Sequence, residues 1–510
     1  MFNYSLNDQK NNNFWQKHFG NKEFIKIVSK LFFPAVLNFV VLTIVPVIDS
    51  FLLASFNVGG HGIEAKTAAI LAVEVMFLPI ILMTAITSMG ATLGAQYYGR
   101  KDYMRFKETM NFSLFIGLIT ATLIAIIAVI IPEHLIGIFS GSELKENGNQ
   151  NDIESFALTN KLAADYLRIS AFTLLPFIIS FTYATGIRQD KSTIWPLISA
   201  IVALGTNIVL DLVLVKVFQN NLYSATISVA AATLFARWVN AIFLVILSLF
   251  KKDRPYYIFN HMFISRLIFR QAIKVGWQIV INEFLFALGT TIIIGFMLNY
   301  YSDQRHAIAT VSLLIQFVAL MWPGSAAVTS VVVTAELGAQ RNELAKQNAK
   351  RLINWSYIIA AILSIIILIL STFINQWLNP PANDSLEEQL KSQAIVQTAT
   401  YLEYTLLIKV MFEFPFAFMY SAIRGGGSKF LLIMDILSVT IWMIIIGLMT
   451  TVNVDPNNKY NIYGMFVIMY CENIFKYLLG WIIFLKTKWN KTVILEDKER
   501  GVINGNQNKI

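Results

Sequence analysis

The sequence predicts an all-α integral membrane protein: about twelve transmembrane helices, in two six-helix lobes related by an internal repeat. Three observations carry that reading. Apolar residues make up 56% of the 510-residue chain and charged residues only 14%, with a mean hydropathy of +0.59; a soluble domain carries about a quarter charged residues. The apolar residues come in runs of span length, without the dyad alternation that a barrel requires. The basic residues gather on alternate connections between those runs.

Runs of suitable length fall at 31–55, 68–97, 110–131, 162–187, 193–216, 225–249, 272–299, 307–335, 352–374, 398–423, 430–452 and 462–485. One face of the membrane then receives the lysines from Lys10 to Lys30, Arg100 to Lys107, Arg188 and Lys191, Lys251 to Lys274, Arg341 to Arg351, Arg424 and Lys429, and the basic tail from Lys486. The other face receives only Lys66, Lys145, Lys161, Lys216, Arg305, Lys391 and Lys459. An odd number of spans would break this alternation. The expectation is a multi-pass protein of the cell membrane with both termini cytoplasmic. The first run is too long for a signal-peptide core and reads as a retained span. On the opposite face, 132–160 reads as a solvated acidic loop.

The domain plan follows. Residues 1–30 form a cytoplasmic N-terminal segment, 31–250 a first lobe, 251–271 a cytoplasmic linker, 272–486 a second lobe and 487–510 a cytoplasmic tail. The lobes echo one another. A-T-L-G-A-Q-Y-Y-G-R-K after the second span resembles V-T-A-E-L-G-A-Q-R-N after the eighth, with Gly99 set on Gly338. A-T-G-I-R-Q-D-K-S after the fourth resembles S-A-I-R-G-G-G-S-K after the tenth, with Arg188 on Arg424. The offsets, 239 and 236, nearly agree. Each half holds an even number of spans, so the repeats share one orientation, with their axis along the membrane normal.

Several function classes fall away. Cys471 is the single cysteine, which excludes an internal disulfide and a cysteine metal site. His18, His61, His134, His261 and His306 lie in loops or tails. No G-x-x-x-x-G-K-[ST] loop is present, and G-G-G-S-K at 425–429 reads as a tight turn. The net charge of +9 is explained by the basic loops, so no nucleic-acid partner is expected. Neither an enzyme nor an organic cofactor is expected.

What remains is ionisable residues inside spans, which are costly there by about 2.5–3.5 kcal/mol each on insertion scales and are functional candidates by default. Asn207 and Asp211, in L-G-T-N-I-V-L-D, share a helix face. Asp49 follows Pro46, which frees a backbone carbonyl one turn earlier and permits a bend. Both acids lie late in outward-running spans, at similar depth. Two carboxylates together in a poorly hydrated pocket cannot both ionise cheaply, so the pair suits a shared proton or, with an amide oxygen, a Na⁺ ion. A structural polar pair between helices is the competing reading. Glu283 and Glu413 sit mid-span in the seventh and tenth helices. Lys409, four residues before Glu413, and Lys476, four after Glu472, suggest local ion pairs, as do Asp165 and Arg168. Glu74 and Asp435 lie near span ends, within reach of the interface. Arg237 has no evident partner in sequence.

The order and spacing of several motifs resemble the multidrug and toxic compound extrusion (MATE) family over 31–486. They are P-A-V-L-N-F-V-V-L-T-I-V-P-V-I-D-S-F, G-A-T-L-G-A-Q-Y-Y-G-R-K-D, Y-L-R-I with a later Pro176, N-I-V-L-D and A-A-A-T. The resemblance implies two lobes meeting in a V and alternating access driven by Na⁺ or H⁺, with amphipathic organic cations as cargo. Carried over by motif, Asp49, Asn207, Asp211 and Thr233 match a coupling-ion site in the first lobe, with Asp49 and Asp211 as Na⁺ ligands if Na⁺ is the ion. Glu283 and Glu413 match acidic positions of the second lobe that attract or neutralise a cationic substrate. The chain departs from one branch around Tyr183 and Ala184, where it lacks an Asn. The expected partners are a small organic cation and the lipid bilayer, for a monomer. A lipid-linked saccharide flippase of the same superfamily is the alternative, and a non-transporting membrane scaffold the second.

Overall fold

The computed structural model describes residues 14–494 except 57, 141–149, 302–303, 305–306, 309–310, 312–314, 316–317, 320, 379–385, 428 and 453–459. Among these the chain is helical throughout, without a strand. The N-terminal segment forms α1 (Phe14–Phe19), and the first lobe holds α2 (Lys22–Ser55), α3 (Gly62–Gly99), α4 (Tyr103–Ile130), α5 (Pro132–Ser140), α6 (Gln150–Ser170), α7 (Leu174–Gln189), α8 (Ile194–Val217) and α9 (Leu222–Phe250). The second holds α10 (Arg266–Tyr300), α11 (Met321–Thr329), α12 (Ala335–Gly338), α13 (Asn342–Leu378), α14 (Leu386–Gly425), α15 (Phe430–Val452) and α16 (Ile462–Lys486).

Among the described residues eleven helices are long and apolar enough to cross a membrane. The fourth expected span is the continuous run of α6, one turn of 3₁₀ helix at Ala171–Thr173, and α7. The eighth, 307–335, is described only in part; it ends in α11, a wide π turn over Ser330–Thr334, and α12. With it the count reaches the expected twelve. The chain is a multi-pass membrane protein.

Two expectations need amending. The described residues of 132–160 form α5 and the start of α6 rather than an irregular loop, tied by Arg168, which pairs with both Asp165 and Glu133. Glu143 and Glu146 lie outside the described residues. The first span begins earlier than its apolar run. α2 is 34 residues long, about 51 Å at 1.5 Å per residue, so its polar first turns extend well beyond a ~30 Å hydrocarbon core.

The internal repeat is visible as a reciprocal contact at the end that carries the basic loops. A Cβ on Gly99 would collide with the carbonyl of Ala335, and one on Gly338 with the carbonyl of Gln96. Gln96 and Ala335 are themselves 239 positions apart, so each repeat presents the same glycine and the same carbonyl to the other. That is the self-complementary contact a two-fold axis generates. The lobes also meet where Gly276 lies on Met89, and where Gly324 lies on Phe32 and Val36.

Short polar segments lace this end together. The Gln96 amide donates to Gly425 O (2.7 Å) and accepts from Thr492 Oγ1 (3.0 Å) and the Val493 N–H (2.9 Å). The described part of the tail therefore lies against both lobes, with Trp489 and Ile494 buried. The N-terminal residues Gln16, His18 and Phe19 give their carbonyls to Arg351, Asn354 and Trp355 of α13. The linker returns to the first lobe, where Glu108 Oε2 accepts from the Ser265 N–H at 2.9 Å.

Candidate cation site in the first lobe

α2, α6, α8 and α9 build the site. Pro46 has no N–H to give to Leu42, and the Ser50 hydroxyl donates to Pro46 O at 2.8 Å. The helix carries Asp49 inward; the residue is 1% exposed. From α8, Asn207 and Asp211, one turn apart, point the same way and are wholly buried. Thr233, on the half-buried side of α9, donates to Asp49 Oδ2 at 2.8 Å and receives the Asn207 amide at 3.2 Å. The Asp49 and Asp211 carboxyl groups are close enough to act on one another electrostatically.

The structure thus brings together the four first-lobe residues singled out in the sequence. It adds a fifth, Tyr166, whose hydroxyl reaches Asp49 Oδ2 from α6 at 3.5 Å. Tyr166 lies inside the quoted Y-L-R-I motif, but a tyrosine in an apolar helix is weak evidence of a site by itself. Arg237, one turn after Thr233, lines the same narrow crevice as Val45, Ala203 and Asn240 and sets its guanidinium 5.8 Å over the Phe177 ring.

The donor set is unusual for a sealed interior. Asp49 Oδ1, both carboxyl oxygens of Asp211 and Asn207 Oδ1 are buried without a hydrogen-bond partner. A buried acceptor left unfilled costs about 1–3 kcal/mol, more when charged. Four such oxygens in one cluster suit a hard monovalent cation or a proton. No group of three or more His, Cys, Asp or Glu side chains suited to a metal occurs among the described residues.

The second-lobe acids are placed differently. Glu283 meets Arg424 at 2.9 Å. Arg424, counted in sequence as a loop charge, reaches back into the helices. Glu413 is held by Lys409 at 2.6 Å and by the Trp322 indole N–H at 2.7 Å. Lys476 pairs with Glu472 at 2.7 Å and lies 3.7 Å from Asp435. Asp435 is therefore buried and does not reach the interface, because α16 supplies its counter-charge. Glu74, by contrast, is exposed. Beside these pairs, the Asn282 amide bonds the hydroxyl of the fully enclosed Tyr420. Glu403, wholly buried on α14, belongs to no motif visible in the sequence.

A two-lobed bundle of membrane helices with an oxygen-lined, buried acidic site in one lobe defines a class, and comparison with known proteins agrees with it. The MatE family profile matches residues 34–213, the stretch that holds Asp49, Asn207 and Asp211. A Bacillus subtilis (strain 168) protein described as probable multidrug resistance protein YoeA is 23% identical over 320 residues, covering 61% of this chain. The matched region spans 65% of that relative's length. Among solved structures, a MATE in complex with MaL6 superposes with a TM-score of 0.72 at 17% identity, covering 93% of this chain and 98% of the other. A MOP superfamily transporter from Pyrococcus furiosus Vc1 (DSM3638) gives 0.73 at 17% identity, covering 94% and 100%. Over its first lobe the chain is similar to the MATE family of transporters, and its fold is that of solved MATE structures.

Proposed function

We propose that the protein is a cation-coupled antiporter of the cell membrane, with cytoplasmic termini, that exports amphipathic organic cations by alternating access in exchange for Na⁺ or H⁺. The observation that carries this reading is the set of unfilled oxygens on Asp49, Asp211 and Asn207, buried yet without partners. A site intended only to hold helices together would satisfy its acceptors. A site that loads and releases an ion leaves them for the ion. Asp49 and Asp211 supply the charge, and Asn207, Thr233 and Tyr166 supply neutral oxygens. Pro46 supplies the adjustable segment of α2, so that filling the site alters how α2 packs. The inter-lobe contacts named above gather at the basic end, which fits a state closed toward the cytoplasm and open outward.

The relative from Bacillus subtilis bears a multidrug name, and that supports an organic-cation cargo. A small-molecule cation and the bilayer are the partners, acting on a monomer without nucleic acid or organic cofactor. The test is efflux of ethidium from proteoliposomes with Na⁺ and pH gradients imposed separately. Efflux driven by one gradient and lost in Asp49→Asn and Asp211→Asn is expected; gradient-driven efflux surviving both substitutions would overturn the coupling assignment.

One observation favours a second reading. Arg424 and Lys409 already neutralise Glu283 and Glu413, which suits an anionic, lipid-linked saccharide better than a cation. Scrambling of a fluorescent lipid-linked sugar without ethidium transport would select it, and movement of neither would leave a membrane scaffold.

A further inference from the structure

Arg237 enters no reading so far, yet it is the only cationic side chain of the described first lobe that lines the crevice beside the acid pair. It follows Thr233 by one turn of α9, and Thr233 donates directly to Asp49. Its guanidinium lies within electrostatic range of Asp49 but forms no direct ion pair with a described carboxylate; its close neighbour is the Phe177 ring. The groups facing this region are Asp49 on α2, Tyr166 on α6 and Asp211 on α8. On α7, Arg188 sits beyond the stacked Phe177 and Phe181 rings, and Glu74 on α3 is exposed.

An arginine keeps its proton under all conditions a protein meets. In a poorly solvated interior, charge left unbalanced is costly, so the occupancy of a site follows its local sum of charges. Asp49, Asp211 and Arg237 together sum to minus one. We propose that Arg237 sets the stoichiometry of the first-lobe site, acting as a fixed internal cation that limits the acid pair to a single exchangeable monovalent cation. Without it the pair would demand two. The indirect contact matters to the argument: a guanidinium locked onto Asp49 would occupy the oxygens themselves, whereas one held over Phe177 supplies charge and leaves the oxygens open.

This rests on the pair being the coupling-ion site. The experiment counts cations on the purified full-length protein at neutral pH. Bound ²²Na⁺ is measured by scintillation proximity, and bound protons by titration against the Asp49→Asn/Asp211→Asn double variant. The sum should be one in the native protein, two in Arg237→Met and one again in Arg237→Lys. Asp211→Asn should bind none, because Asp49 and Arg237 then balance, and Asp211→Asn/Arg237→Met should bind one. An unchanged sum in Arg237→Met, or one cation still bound in Asp211→Asn, overturns the proposal. The second arm decides the matter if Arg237→Met does not fold. Failure of the underlying reading is a separate result: gradient-driven ethidium efflux that persists in Asp49→Asn, whatever the count.

Discussion

The acids singled out by the sequence in the two lobes are held in different ways. In the first lobe Asp49 and Asp211 are given neutral donors on some oxygens and nothing on the rest. In the second, Glu283, Glu413 and Glu472 each have a basic side chain at 2.6–2.9 Å. A buried acid with a permanent basic partner is a structural element: its desolvation is offset once, in every state, and removing the partner is costly. An acid with unfilled oxygens is incomplete, and whatever completes it biases the conformation in which it fits best. On the proposed reading the lobes divide the work, with exchange in the first and fixed charge in the second.

The sharpest way to break that comparison is to remove one acid from each lobe. Asp49→Asn keeps the shape and deletes the charge. Coupled efflux should fall about 100-fold or more, corresponding to roughly 3 kcal/mol of lost ion interaction, while thermal stability in detergent changes little. Glu413 is tested from its partner. Lys409→Met leaves a buried carboxylate uncompensated and should cost about 3–5 kcal/mol of stability, read as a lowered Tm. Lys409→Met/Glu413→Leu, which removes both charges, should recover most of that loss. If the double variant instead retained its Tm but lost transport, Glu413 would be part of the exchange machinery and the contrast between the lobes would fail.

This contrast was only half legible in the sequence. The span count, the repeat and the first-lobe residues could be read because they depend on local rules: run length, charge alternation, and the four-residue spacing that put Asn207 and Asp211 on one face. The local second-lobe pairs were also legible, since Lys409–Glu413 and Glu472–Lys476 are neighbours along one helix. Pairs between helices were not. Arg424 looked like a loop charge until α10 brought Glu283 against it, and Asp435 looked interfacial until α16 supplied Lys476. Tyr166, Trp322 and Tyr420 carry no charge to mark them in an aromatic-rich chain. Their roles arise from packing, which periodicity does not encode.

A second comparison, between the two ends of the molecule, yields a smaller effect. Gln96 is wholly buried and makes three hydrogen bonds to the second lobe and the tail. At about 1 kcal/mol each, their loss in Gln96→Ala should shift the closed basic end toward opening by roughly 100-fold. Leu337, fully buried beside this contact, is a reporter position. A cysteine introduced there in a Cys471→Ser background should react with a membrane-impermeant maleimide from the basic side faster when Gln96 is replaced. Unchanged labelling would mean that the reciprocal Gly99 and Gly338 contacts hold this end shut by themselves.

The smallest effect expected is also the most specific to the exchange site. Thr233 gives Asp49 one hydrogen bond and takes one from Asn207. Thr233→Val preserves the shape and removes both, so at about 0.5–1.5 kcal/mol the half-saturating ion concentration for efflux should rise roughly 2- to 12-fold. Maximal efflux at saturating ion should stay close to the native value, because Asp49 and Asp211 still supply the charge. That separation is what an ion-ligand role requires. A purely structural hydroxyl would lower Tm and maximal efflux together and leave the ion dependence where it was, and such a result would move Thr233 out of the site and into the packing between α2 and α9.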